Sequence, residues 1–262
     1  MSTDGLSGLR ALVTGGGTGI GRQLAQTLAL AGADVVICGR RLAPLQEAAT
    51  EIASLEGIAS LGGAVSALAA DVTSEEDLGR IAGAGPFDIL VNNAGYGRIE
   101  PWTEVTQESW HDVLAVNLDA PFRLSQLLVP PMVRRGWGRV VNIASVYGMV
   151  TGNPYMYPDF DWDNCAYVTS KHALIGLSKY LAVRTGGTGV TVNAISPGMF
   201  PFTEANRDRS PEESLRRLRQ FTPEGRTGEV RELGSALLFL VSPDSTFVTG
   251  QNIAVDGGWT LW

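Results

Sequence analysis

Tyr167 and Lys171 stand four residues apart in Tyr167-Val168-Thr169-Ser170-Lys171, inside a stretch of helical spacing, so their side chains share one face. A phenol with a pKa of about 10 is a poor proton shuttle at neutral pH. An ammonium beside it favours phenolate and lowers that value. The pair is thus a device for giving a proton to a forming alkoxide or taking one from an alcohol. Ser145, at the end of an upstream apolar run, can hydrogen-bond a substrate oxygen, and a positioned donor of that kind is worth about 3 kcal/mol of barrier. Tyr-x-x-x-Lys alone is common and also decorates helix surfaces. Only Tyr167 among the tyrosines has a lysine four residues later.

A second segment gives the pair a reaction. Thr14-Gly15-Gly16-Gly17-Thr18-Gly19-Ile20-Gly21 follows an apolar run and opens a helical pattern. Glycines at Gly15, Gly19 and Gly21 let the chain turn sharply and bring backbone N–H groups close to a pyrophosphate, at the positive end of the next helix. The strand before and the helix after are the context that separates such a cradle, with Thr18 and Ile20 in it, from an ordinary turn. A dinucleotide cradle and an acid/base pair together point to hydride transfer. The second strand ends near Cys38-Gly39, and Arg40-Arg41 follow with no acid anywhere in Ile37–Leu42. An acid there would hold a ribose 2′-hydroxyl, whereas an arginine accommodates a 2′-phosphate. The expectation is NADP, with NAD the alternative; a solvated helix start is the plainer reading of the arginines. Asp71 and Val72, after the third strand, are placed to meet the adenine edge.

Strands are expected at Ala11–Val13, Asp34–Cys38, Ala64–Ala70, Asp88–Asn92, Arg139–Ala144, Val190–Ile195 and Asn252–Val255. Several are apolar at consecutive positions, as strands buried on both faces of a parallel sheet are. Helical patterns lie between them at Arg22–Ala31, Leu42–Leu55, Ser74–Ala82, Thr106–Arg135, Ala166–Arg184 and Glu229–Leu240. The alternation predicts an α/β, doubly wound (Rossmann) domain over 1–262, a seven-stranded parallel sheet with helices on both faces. Ser74 and Thr106 read as capping hydroxyls. The charged stretch 199–226, with Pro201, Pro211 and Pro223, reads as a helical substrate lid.

The 262 residues are 44% hydrophobic and 18% charged, a globular balance. Net charge of -7 without a basic run speaks against nucleic acid. No apolar stretch reaches the roughly 18 residues of a membrane span, and the N-terminus lacks a basic start and an apolar signal core. Cys38 and Cys165 give no disulfide framework; Cys38 reads as a small buried side chain, and Cys165 as either that or a pocket wall. His111 and His172 lack companions at metal-like spacing, so no metal is expected. A cytoplasmic protein is expected.

The chain resembles the short-chain dehydrogenase/reductase family in its one-domain form of roughly 250 residues. The resemblance runs from Leu9 to Trp259. It rests on the glycine segment, Asn92-Asn93-Ala94-Gly95, Asn117, Ser145, Tyr167-x-x-x-Lys171, Pro197-Gly198 and Asp256-Gly257-Gly258. It implies that Asn93, Ala94 and Gly95 shape the cofactor pocket, that Pro197 and Gly198 lie beside the nicotinamide carboxamide, and that Thr203 contacts the cofactor. Asn117 would hold a water linking Lys171 to solvent. Tetramers, or dimers, would form through the helices spanning Thr106–Arg135 and Ala166–Arg184 and the C-terminal strand. The aromatic tail Trp259-Thr260-Leu261-Trp262 would suit burial against a neighbour.

Ser145 and Tyr167 stand much further apart than the family's usual spacing, and Thr151–Asn164 is the added segment. Its rings and acids suit a polyhydroxylated ring or a cation; a surface excursion or subunit contact is the plainer reading. Tyr147, Tyr155, Trp162, Met199 and Phe200, with Ser145, are the candidate substrate wall, fitting a sugar acid, a polyol or a cyclic ketone. The leading expectation is a carbonyl/secondary-alcohol oxidoreductase. The rivals are a 3-oxoacyl-carrier reductase, a non-catalytic cofactor-sensing protein and a purely structural oligomer.

Overall fold

In a computed structural model, residues 5–153, 163–200 and 212–261 are described, with side chains withheld at 212–215. Seven strands form one parallel sheet: β1 (Arg10–Thr14), β2 (Asp34–Gly39), β3 (Ala64–Ala69), β4 (Ile89–Asn92), β5 (Gly138–Ile143), β6 (Val190–Pro197) and β7 (Asn252–Val255). Their spatial order is β3-β2-β1-β4-β5-β6-β7. The helices are α1 (Gly19–Leu30), α2 (Leu42–Ala53), α3 (Glu75–Gly83), α4 (Gln107–Leu114), α5 (Ala120–Arg135), α6 (Cys165–Arg184), α7 (Glu212–Gln220) and α8 (Leu233–Val241). The expected doubly wound α/β architecture is present.

Strand alternation decides which helix packs where. Ala11, Val13, Val35, Ile37, Ile89 and Val91 point to one face and meet Leu24, Leu28, Leu45 and Leu237 of α1, α2 and α8. Leu12, Val36, Leu90, Val140 and Val192 point to the other and meet Leu78, Leu124, Leu128 and Ala182 of α3, α5 and α6. Every strand of the sheet's middle is therefore apolar on both faces. Ser74 accepts a hydrogen bond from Asp77 N–H, and Thr106 from Ser109 N–H, so both expected caps form.

Strand order reverses between β1 and β4, which opens a crevice at their carboxyl ends. Thr14 stitches that crevice: its Oγ1 accepts from Asn93 N–H and Ala94 N–H, each at 2.9 Å. Asn93 Nδ2 returns a bond to Thr14 O at 2.9 Å. The stretch read as one helix over Thr106–Arg135 is helical without a break from Gln107, with a π turn at Ala115–Asp119 joining α4 to α5.

Candidate active site

α1 starts at Gly19 and takes in Ile20 and Gly21. Thr18 precedes it without a side-chain cap, and no acid lies in the first turn, so the positive end is left for an anion. Gly21 is obligatory. A Cβ there would sit 2.2 Å from Gly15 O and 2.4 Å from Asn93 Nδ2. Gly15 itself has φ +64, in the left-handed region. A cavity of about 240 Å³ opens beside the cradle, lined by Gly15, Thr18, Arg40, Arg41, Asp71, Val72, Ala94 and Gly95, all expected from sequence. Tyr96 and Val116 also line it and were missed. The signal for Tyr96 was its place directly after Asn93-Ala94-Gly95. Asp71 Oδ1 is engaged by Thr73 N–H and Oγ1–H at 2.9 and 2.7 Å. The cradle, the cavity and the two guanidinium groups fit a dinucleotide carrying a 2′-phosphate.

The residues expected to form the acid/base pair meet at the carboxyl end of β5. Tyr167, partly buried, is hydrogen-bonded to the Ser145 side chain. Lys171 is 4% exposed. Its Nζ lies 5.6 Å from the centroid of the Tyr167 ring and donates to Ile143 O at 2.8 Å. Burial pushes the Tyr167 phenol up from its ordinary value, and the Ser145 hydrogen bond pulls it partway back. This corrects the expectation of a lowered phenol: the ammonium does not bond the phenol oxygen, and desolvation outweighs it. Burial also lowers Lys171, to about 8.

The π turn aims Asn117 inward, where it is fully buried. Asn117 Nδ2 donates to Tyr96 O at 2.9 Å and Ser170 Oγ at 3.0 Å, and its Oδ1 accepts from Tyr96 N–H at 3.0 Å. Ser170 Oγ–H continues to Tyr167 O at 2.7 Å. Gly95 makes room for this cluster: a Cβ there would lie 3.1 Å from Asn117 Oδ1 and 3.3 Å from Lys171 Nζ. Ser170 was missed by sequence reasoning.

Pro197 ends β6, and Gly198 N–H donates to Val255 O at 2.9 Å. Tyr147 and Trp259 meet edge to face, centroids 5.6 Å apart, in an apolar cluster against which Tyr167, Val168, Met199 and Phe221 pack. Trp259 is 5% exposed within its own chain. For Trp259 that corrects the idea that it waits for a neighbour: the Asp256 carboxylate accepts from Gly258 N–H, Thr260 N–H and Thr260 Oγ1–H, which turns Trp259 inward, while Leu261 stays 81% exposed. Phe200 packs under Gly228, against the α1/α8 face, and lines a second hollow with Met199 rather than the Tyr147 cluster. Tyr155, Trp162 and Thr203 lie outside the described residues. Cys38 is buried, its thiol pushed up to about 12 by desolvation, and so inert. Among the described residues no group of three or more His, Cys, Asp or Glu could hold a metal, and no helix is long and apolar enough to cross a membrane.

Residues 15–260 match the family profile described as enoyl-(acyl carrier protein) reductase. The chain is 37% identical to galactitol 2-dehydrogenase (L-tagatose-forming) of Cereibacter sphaeroides, over 98% of this chain and 97% of that protein. It is 38% identical to gluconate 5-dehydrogenase of Gluconobacter oxydans, over 98% and 96%. The crystal structure of a gluconate 5-dehydrogenase from Burkholderia cenocepacia in complex with NADP and tartrate superposes with TM-score 0.84 at 34% identity, covering 99% of this chain and 98% of that one. With fold, motifs and match in agreement over nearly the full length, the chain belongs to the short-chain dehydrogenase/reductase family.

Proposed function

We propose that the protein moves a hydride between NADP(H) and the carbonyl or secondary alcohol of a small polyhydroxylated substrate, a polyol or sugar acid, with cyclic ketones as simpler analogues. The observation that carries this reading is the buried Lys171, its Nζ 5.6 Å from the centre of the Tyr167 ring and 3.3 Å from where a Cβ on Gly95, in the wall of the cradle cavity, would stand. Bound NADP would supply or accept the hydride. Gly15, Thr18 and the head of α1 would hold its pyrophosphate, and Arg40 and Arg41 its 2′-phosphate. Tyr167 holds the proton that a substrate alkoxide takes up, and Ser145 orients the same oxygen. A raised phenol stays protonated at neutral pH, which suits donation in the reductive direction. Lys171, still largely an ammonium at neutral pH although burial lowers it to about 8, adjusts the phenol, and Asn117 would hold the water that returns a proton to it. Pro197 and Gly198 would flank the carboxamide.

The whole chain is read as one nucleotide-binding domain with 199–226 as its substrate lid. Phe221, just after α7, packs against the cluster that holds Tyr167 and Met199, which supports that placement. The segment between Ser145 and Tyr167 is read as an extension at the pocket mouth. Two free cysteines suit a reducing, cytoplasmic setting. The profile's description favours a second reading, reduction of carrier-bound acyl chains. The acidic segment at the mouth speaks against it, since an acidic carrier wants a basic docking face.

The test is a panel of polyols, sugar acids, cyclic ketones and acyl thioesters, read at the reduced-nicotinamide band. Tyr167→Phe removes turnover by about a thousandfold and leaves NADPH affinity nearly intact. Lost binding with residual activity unchanged, or turnover of thioesters alone, overturns the reading.

A further inference from the structure

A proline, Pro121, stands four residues after Asn117. In an α-helix the carbonyl of residue i accepts the N–H of residue i+4, so Val116 O would take Ala120 N–H and Asn117 O would turn to residue 121. Pro121 has no N–H to give. Ala120 N–H reaches one residue further back, to Ala115 O, which is the bond that makes the turn at Ala115–Asp119 a π turn. The carbonyls of Val116 and Asn117 are thus passed over by the donors an α-helix would bring them, in the middle of a continuous helical stretch. Pro121 is buried at the head of α5, and its own carbonyl accepts Ser125 Oγ–H at 2.7 Å. It lines neither described cavity.

The Asn117 amide is already committed. Both of its N–H groups are used, on Tyr96 O and Ser170 Oγ, and its Oδ1 accepts Tyr96 N–H. Lys171 is close by: one point, the place of a Cβ on Gly95, is 3.1 Å from Asn117 Oδ1 and 3.3 Å from Lys171 Nζ. Nζ carries three N–H groups, and Ile143 O takes one. A buried ammonium next to carbonyls without their helical donors is an arrangement that a bridging water completes. We propose that Pro121 is a positioning residue for proton return: by bringing no N–H to the turn it holds the π register and leaves the Asn117 carbonyl to the water that serves Lys171. This inference rests on the proposed hydride transfer and adds the residue that sets its relay. In the reductive direction each turnover moves one proton from Tyr167 to the substrate oxygen, and one from solvent through that water to restore the phenol. The same helix supplies a comparison, because Pro130 also withholds an N–H, exposed and about 13 Å further along the axis.

The experiment compares wild type, Pro121→Ala and Pro130→Ala. It measures the Kd of NADPH by fluorescence, and kcat in H2O and in D2O for the ketone of the panel that wild type reduces fastest. Pro121→Ala supplies an N–H four residues after Asn117, which closes onto its carbonyl. That variant is expected to lose about tenfold in kcat and to show a larger solvent deuterium isotope effect, because proton return has become slow. Its NADPH affinity stays within about twofold of wild type. Pro130→Ala matches wild type in all three measurements. An unchanged kcat in Pro121→Ala, a lower kcat with the isotope effect unmoved, or weakened NADPH binding makes Pro121 a packing residue and overturns the inference while leaving the proposed function standing. A Pro130→Ala variant that slows like Pro121→Ala overturns it as well. A wild type that turns over no member of the panel overturns both.

Discussion

Lys171 is hidden like a core leucine, yet it carries an ammonium whose hydrogen bond goes to a backbone carbonyl, Ile143 O. Burial moves its pKa from 10.5 to about 8. Between those two values the unfolded chain holds a proton at this site and the folded chain does not, so folding releases one and stability rises with pH. Below about 8 both states are protonated and the full cost of burying the charge is present. Wild type should therefore gain up to about 3 kcal/mol over Lys171→Met between pH 8 and 10.5, read by urea unfolding at each pH. Parallel curves for the two proteins would show that the lysine is not desolvated. Arg40 tests the other half of the site. Both arginines at the cavity rim are exposed, so neither is held for folding. Charge reversal, Arg40→Glu, is expected to weaken NADPH by about tenfold or more while NADH changes little. Equal effects on the two nucleotides would move 2′-phosphate recognition elsewhere.

At the scale of elements, the glycine cradle is a packing constraint before it is a binding site. Gly21→Ala drives a methyl into the Gly15 carbonyl, a backbone atom that cannot step aside. We expect a loss of about 3 kcal/mol together with lost NADPH binding. Gly79, inside α3 with nothing within 4 Å of its added Cβ, is the control; Gly79→Ala should gain about 0.5–1 kcal/mol. Thermal unfolding of both variants reads the contrast, and similar shifts would refute the close-packed cradle. All seven strands were legible in the sequence to within a residue or two; the central ones, buried on both faces, announce themselves as runs of apolar residues, while the edge strands β3 and β7 are only partly covered. The glycine turn before α1 and the side-by-side placing of Tyr167 and Lys171 were legible because a strand-to-helix turn and an i, i+4 pair leave fixed spacings. The π turn was not. Asn117 turns inward to satisfy Tyr96 and Ser170, and those tertiary bonds leave no mark on a 3.6-residue period. Trp259 read as a free tail because the Asp256 staple that folds it back is local geometry, not pattern.

Across the whole molecule, helices on both sheet faces show apolar side chains to solvent, Leu42 on α2 and Phe239 on α8 among them. On the face covered by α3, α5 and α6 they are Phe122 on α5, and Tyr180 and Val183 on α6, the last 81% exposed. Leu174, Ile175 and Ala182 are buried on the side of α6 turned away from Tyr180 and Val183, so α6 is apolar on two sides. A helix of that kind is covered twice, once by its own sheet and once by something else. The dimer or tetramer expected from the family resemblance makes a second copy of the chain the covering to test, and a twofold interface would place α5 and α6 against their own counterparts. The same helix carries Tyr167 and Lys171 at its head, so pairing would brace the active site from behind. Replacing both Tyr180 and Val183 by Glu buries two charges in such a contact and opposes them to their symmetry mates, which a desolvated interface does not accommodate. Light scattering after size exclusion should find wild type as a dimer or tetramer and the double variant as a smaller species, its NADPH-linked turnover lowered and its helical content kept. A wild type that runs as a monomer, or a double variant that stays assembled, would assign these exposed side chains no role in pairing.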